Sequence, residues 1–188
     1  MRGLLERLGL TLRERDIDAP IRGASLRGLS RVLLVPSGYH PRDEFTIAHE
    51  IIESFFPSEW NRYAATEEDK ERACDRGAAA LLLPAAEFHR SVTELRHELP
   101  ALRRRWRNAS WDVIARRLVD VGAASTAAAW DSLELRWRYG GTGHDAEEHA
   151  LAEVYAGRGS AHVRAGEREV RAWRLGGAGL GRAVSVGR

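Results

Sequence analysis

The sequence predicts an α+β fold, and three observations carry that prediction. A long central stretch repeats apolar residues at helical spacing, a short apolar β-like run, RVLLV (31–35), stands before it, and Gly-separated alternating stretches follow from Tyr139. The 188 residues are enough for one ordinary domain, or one domain and a small appendage, with a core that needs no disulfide staples. The break at GGTGHD (140–145) places the expected boundary, with one domain over residues 1–138 and a small β-rich extension over 139–188.

Along the chain, Leu4, Leu5, Leu8 and Leu12 predict an amphipathic helix over residues 3–15. Residues 17–38 read as strand, turn, strand, turn, with RVLLV closed by Pro36, Ser37 and Gly38. Pro41 with Asp43 and Glu44 marks a helix start, and Pro57 marks its end. A second helix runs from Glu67 to Leu83, where Pro84 stops it. Helical text continues through residues 85–99, 100–119 and 124–137. ALAEVYA, SAHVRAG, EVRAWRL and RAVSV then predict a small antiparallel meander.

Composition narrows the function classes. The chain is 44% hydrophobic and 30% charged with a formal net charge of +2, a globular balance without a strong field for nucleic acid. Lys70 is its only lysine. Cys74 is its only cysteine, so no intrachain disulfide forms. The opening MRGLLERLGLTLRERD scatters charges among its apolar residues, unlike a signal peptide, and no 18-residue apolar run occurs. The expected location is the cytoplasm, away from membranes.

The chemistry-bearing text is FTIAHEIIESFF (45–56). On a helix, His49 and Glu53 lie one turn apart on one face with Glu50 beside them, while Phe45, Ala48, Ile52 and Phe55 form an opposite apolar stripe. Alone, such a face is ordinarily a solvated one. The following helix changes this, because ERACD sets Glu71 and Asp75 one turn apart in an otherwise small, apolar run. Two facing acidic stripes repel unless a cation or water separates them. A catalytic zinc takes three ligands from His, Asp or Glu and keeps one open position. The i, i+4 pair offers two and a Glu on a packed neighbour the third, while a Glu directly after the first ligand can act as general base.

RDEFTIAHEIIE resembles the active-site helix of the ImmA/IrrE family of zinc metallopeptidases, whose usual text is RFTLAHELGH. ERACDRGAAALLLP is similar to that family's following helix, E-x-x-A-N-x-F-A-x-x-L-L-M-P. The resemblance runs from about residue 20 to about residue 135. It implies a zincin-like, mini-gluzincin domain: a small antiparallel sheet packed on an active-site helix and a backing helix, then further helices. It implies His49 as first metal ligand, Glu50 as general base, Glu71 as third ligand, and Asp75 as an acceptor that orients a ligating His from behind. Glu53 stands where the family has its second His, and Gly77 where it often has Phe. As a ligand, Glu53 would complete a His, Glu, Glu set around Zn²⁺ or a harder divalent ion such as Mn²⁺. That set sums to zero charge and so polarises a carbonyl less than a His, His, Glu set.

The implied activity is hydrolysis of a peptide bond in a specific protein, typically a helix-turn-helix repressor cleaved during stress. Tyr39, His40, Tyr63 and His89 are candidates for stabilising the oxyanion, and the strand at 31–35 for pairing with an extended substrate. The alternative is a catalytically impaired zincin-like module that binds metal or a protein partner, with Glu53 a surface residue. VIARRLVDVGAASTAAAWDSL (113–133) also suggests a helix-turn-helix, but its second helix offers no Arg, Lys, Asn or Gln for base edges, so direct nucleic-acid binding is disfavoured. HDAEEH (144–149) reads as a solvated turn, and Cys74 as a packing residue.

Overall fold

A computed structural model describes residues 2–15, 24–26, 32–36, 43–56, 66–132, 134–141, 145–175 and 182–187. The chain forms two compact units, Met1–Pro84 with Trp106–Ala109, and Ala85–Arg105 with Ser110–Arg188. The fold is α+β, as expected.

In the first unit α1 (Arg2–Arg7) is followed by β1 (Thr11–Arg15), β2 (Ala24–Leu26), β3 (Val32–Pro36), α2 (Asp43–Glu53) and α3 (Glu67–Leu82). The helix expected over residues 3–15 therefore stops at its midpoint. Gly9 adopts φ +64, the Gly9 N–H donates to Glu6 O at 3.0 Å and the Leu10 N–H to Leu5 O at 2.8 Å. This left-handed glycine cap satisfies the last carbonyls and turns the chain into β1.

The strand expected at 31–35 is β3, and it is central: β1 pairs with it in parallel and β2 antiparallel. This three-stranded sheet is thus mixed rather than wholly antiparallel. With both sides of β3 hydrogen-bonded, the proposed pairing of that strand with a substrate backbone is overturned; β1 and β2 are the edges among the described strands.

α2 packs beside α3 and touches β3. Its core stripe is Ile47, Ala48 and Ile51, with Ile47 and Ile51 clustering against Leu5 of α1 and partly buried Leu81 of α3. Phe55, expected on that stripe, is 64% exposed because α2 ends at Glu53 and turns follow. Pro41 and Pro57, expected at the ends of this helix, lie outside the described residues. The two helices approach closely at Gly77, where a Cβ would come 2.8 Å from Ile52 Cγ2. A Phe at 77, usual in the resembling family, has no room here.

The second unit holds α4 (Ala85–Glu94), α5 (Leu99–Arg105), α6 (Trp111–Asp120), β4 (Thr126–Asp131), β5 (Glu134–Gly140), α7 (Asp145–Glu153) with a wider turn over Val154–Arg158, then β6 (Ser160–Ala165), β7 (Arg168–Leu175) and β8 (Arg182–Gly187). β6, β7 and β8 form the expected meander, and β8 also pairs with β4, giving the antiparallel order β5-β4-β8-β7-β6. The β region thus begins at residue 126, and residue 138 lies inside β5.

Other readings of this unit are corrected. Residues 126–131 and 134–137, expected to be helical, are strand: Ala127, Ala128 and Ala129 are wholly buried mid-sheet, and that burial overrides alanine's helix preference. The second helix of the helix-turn-helix alternative is therefore strand β4, and that alternative falls. ALAEVYA is helical, with Ala150, Leu151 and Val154 packed on Ala161, Val170, Ala172 and Ala183 of the sheet. HDAEEH belongs mostly to that helix. Glu147 is buried, accepts from Arg138 Nη1 at 2.6 Å, and takes the Ser185 hydroxyl, whose oxygen accepts from Trp130 Nε1 at 3.1 Å.

Candidate functional site

α2 and α3 supply every side chain of the candidate site, all within the first unit. α3 begins at a fixed point because the Thr66 hydroxyl accepts from Asp69 N–H at 3.2 Å and Glu67, Glu68 and Asp69 fill the first turn. Lys70, Glu71, Cys74 and Asp75 follow. The close approach allowed by Gly77 brings this helix against the polar face of α2.

His49 is clamped from both ring nitrogens. Nδ1 donates to Asp75 Oδ1 at 3.1 Å, and Nε2 stands 3.4 Å from Glu71 Oε2. The hydrogen bond to Asp75 raises the His49 pKa above 6.5 against the opposing effect of burial, and the charges of Asp75, Glu71 and Glu50 raise it further. The ring of Phe45 lies 6.4 Å away, tilted against the imidazole. Burial, then the charge of Glu53, pushes the Glu50 carboxyl above its ordinary value. A carboxyl raised in this way is a better proton acceptor at neutral pH than a solvated one.

Glu53 shares the helix face as expected, but its Oε1 accepts from Lys70 Nζ at 2.7 Å. Lys70 also donates to Glu67 Oε1 at 2.9 Å, and its hydrogen bonds to Glu53 and Glu67 raise its pKa. Cys74 is buried with its thiol pushed up to about 11 by burial, which fits a packed thiol and not a thiolate.

The donor set suits a divalent metal in kind. Two ligands about 2.0–2.2 Å from one tetrahedral ion lie about 3.3–3.6 Å apart, and His49 Nε2 and Glu71 Oε2, at 3.4 Å, are at that spacing. Asp75 behind Nδ1 is the arrangement that fixes the tautomer of a metal-binding His. The third donor, Glu53, is engaged by Lys70. Among the described residues no three His, Cys, Asp or Glu side chains stand as a ready metal-holding group.

The structure thus brings together His49, Glu50, Glu71 and Asp75 and sets Glu53 beside them in the hold of Lys70. Tyr39, His40 and Tyr63 lie outside the described residues, and His89 belongs to the other unit. Sequence reasoning passed over Lys70. Its signal was present, since one lysine in an arginine-rich chain directly precedes Glu71.

Paired helices bearing His-Glu-x-x-Glu and Glu-x-x-x-Asp beside a small sheet define a zincin-like α+β domain. The chain belongs to the Peptidase_M78 family, whose IrrE N-terminal-like domain matches residues 5–119. That match ends before β4. No curated protein matches the chain. Among solved structures, a Mycobacterium tuberculosis transcriptional regulator is similar in fold, with a TM-score of 0.73 at 17% identity over 99% of this chain and 68% of that one. No helix among the described residues is long and apolar enough to cross a membrane.

Proposed function

We propose that this chain is an ImmA/IrrE-type peptidase domain that hydrolyses a peptide bond in a specific protein, a helix-turn-helix repressor being the class its family resemblance implies, and that it does so in the cytoplasm. The observation that carries this reading is His49 held by Asp75 at Nδ1 with Nε2 facing Glu71, next to Glu50. His49, Glu71 and Glu53 would hold a divalent metal, zinc in the first instance, which supplies Lewis-acid polarisation of the scissile carbonyl.

The chain's own groups have distinct tasks in that reaction. Asp75 keeps the proton on His49 Nδ1, which leaves the Nε2 lone pair for the ion. Glu50 takes a proton from the attacking water and returns it to the leaving amide nitrogen, a shuttle suited to its raised pKa.

A second reading has one observation in its favour. Glu53 is bound to Lys70 at 2.7 Å, which favours a module that recognises a protein partner without cutting it, in keeping with the regulator it resembles in fold. Incubating a candidate repressor with the zinc-loaded wild type and with Glu50→Gln separates the two. Cleavage by the wild type and its loss in the variant support the peptidase; a stable complex with no cleavage by either supports the binding module.

A further inference from the structure

Lys70 is in an unusual place for the one lysine of a chain whose remaining formal positive charge is arginine. Its ammonium joins Glu53 of α2 to Glu67 of α3, and its side chain is only 12% exposed, against 63% for Glu67. The ammonium is a compact, strongly hydrated point charge on a long stem, and here it satisfies the carboxylate that the site would otherwise present to an ion.

We propose that Lys70 is an internal competitor for the metal: its ammonium, seated on Glu53, opposes a divalent ion that draws on the same carboxylate. The inference rests on the metal-site reading above and concerns what controls occupancy. Glu53 Oε1 accepts from Nζ at 2.7 Å, so an ion bound by this carboxylate would sit beside the like charge of the ammonium while that contact lasts. His49 Nε2 and Glu71 Oε2, by contrast, already stand at ligand spacing. Glu67, 2.9 Å from Nζ and largely exposed, is positioned to keep the ammonium when Glu53 lets go. A cation held at a ligand carboxylate lowers the affinity for a second cation there, and so raises the concentration of metal at which the site fills.

The test is calorimetric titration of the metal-free full chain with zinc chloride, comparing wild type, Lys70→Met, Lys70→Gln and Lys70→Arg. The expected result is one zinc per chain in the wild type, bound at least about ten-fold tighter by Lys70→Met and Lys70→Gln, with Lys70→Arg no tighter than wild type. Lys70→Gln keeps a hydrogen-bond donor without the charge, so it reports even if Lys70→Met fails to fold. Wild type that binds zinc while both neutral variants bind equally or more weakly would overturn the inference and leave the metal site standing. No zinc binding by any of the four chains would overturn the metal site and the inference together.

Discussion

His49 of α2 donates through Nδ1 to Asp75 of α3 at 3.1 Å, while its Nε2 stands 3.4 Å from Glu71 on the same helix. One imidazole is thus held from both sides by two carboxylates a single turn apart. The hold depends on the approach of the two helices as much as on the motif residues.

Removing the orienting acceptor tests that relationship. Asp75→Ala frees Nδ1 and lets the ring choose its tautomer, and loss of such a partner ordinarily costs about 10–100-fold in metal affinity. Zinc titration of the variant should show a loss in that range, with secondary structure retained. Affinity within two-fold of wild type would mean Asp75 is a surface partner only.

Glu50 is assigned to proton transfer and not to ligation, so its substitution should split the two properties. Glu50→Gln is expected to lower cleavage of a protein substrate by about 10²–10⁴-fold and to leave zinc stoichiometry unchanged. Loss of zinc in this variant would place Glu50 among the ligands.

Gly77 tests the helix approach. An alanine would set its Cβ 2.8 Å from Ile52 Cγ2 and 2.9 Å from Cγ1, the two atoms fixed to the branched Cβ of a residue stiff at χ1. Overpacking of this kind costs about 1–3 kcal/mol, partly offset by about 1 kcal/mol from alanine's better helix propensity. Gly77→Ala should therefore lower stability in urea unfolding by about 1 kcal/mol and weaken zinc binding as α3 shifts; a stability gain would contradict the packing account.

A pH dependence is expected in the second unit. Burial alone would push the Glu169 carboxyl up, but hydrogen bonds and charge from Arg171, with His162 and Arg164 adding, hold it below 4.5. A carboxyl lowered in the folded state stabilises the protein above its unfolded value and loses that contribution as pH falls through the folded one. At pH 7 wild type should exceed Glu169→Gln by about 1 kcal/mol, and the gap should close below pH 4.5. A gap that is constant from pH 7 to pH 3 would show that charge plays no part.

Legibility in the sequence followed how local each determinant is. Phe-Thr-x-Ala-His-Glu spacing and the Pro84 boundary are local, and α2 and α3 stand where they point. The Asp75 contact to His49 was legible only through the family's text, since helical spacing sets Asp75 one turn from Glu71 and says nothing of a partner 26 residues upstream. Residues 126–131 were not, because three successive alanines favour helix until two neighbouring strands bury them. α1 ended early for a local reason that was visible in Gly9 and outweighed by the leucine repeat.

Lys70 was hidden for a different reason. A lysine three residues after Glu67 on a helix ordinarily makes a solvated pair along its own surface, and it does contact Glu67. Its second contact reaches Glu53, 17 residues upstream on another helix, which no spacing rule within α3 reveals. Two consequences expected from Glu53 therefore change: the site's charge includes Lys70, and the third donor is contested.

The most direct test is the zinc content of the wild-type chain and of Glu71→Ala after dialysis against a fixed low concentration of free zinc. The account predicts one zinc per wild-type chain and about a ten-fold or greater loss of affinity in Glu71→Ala. Wild type holding no more zinc than Glu71→Ala would contradict it.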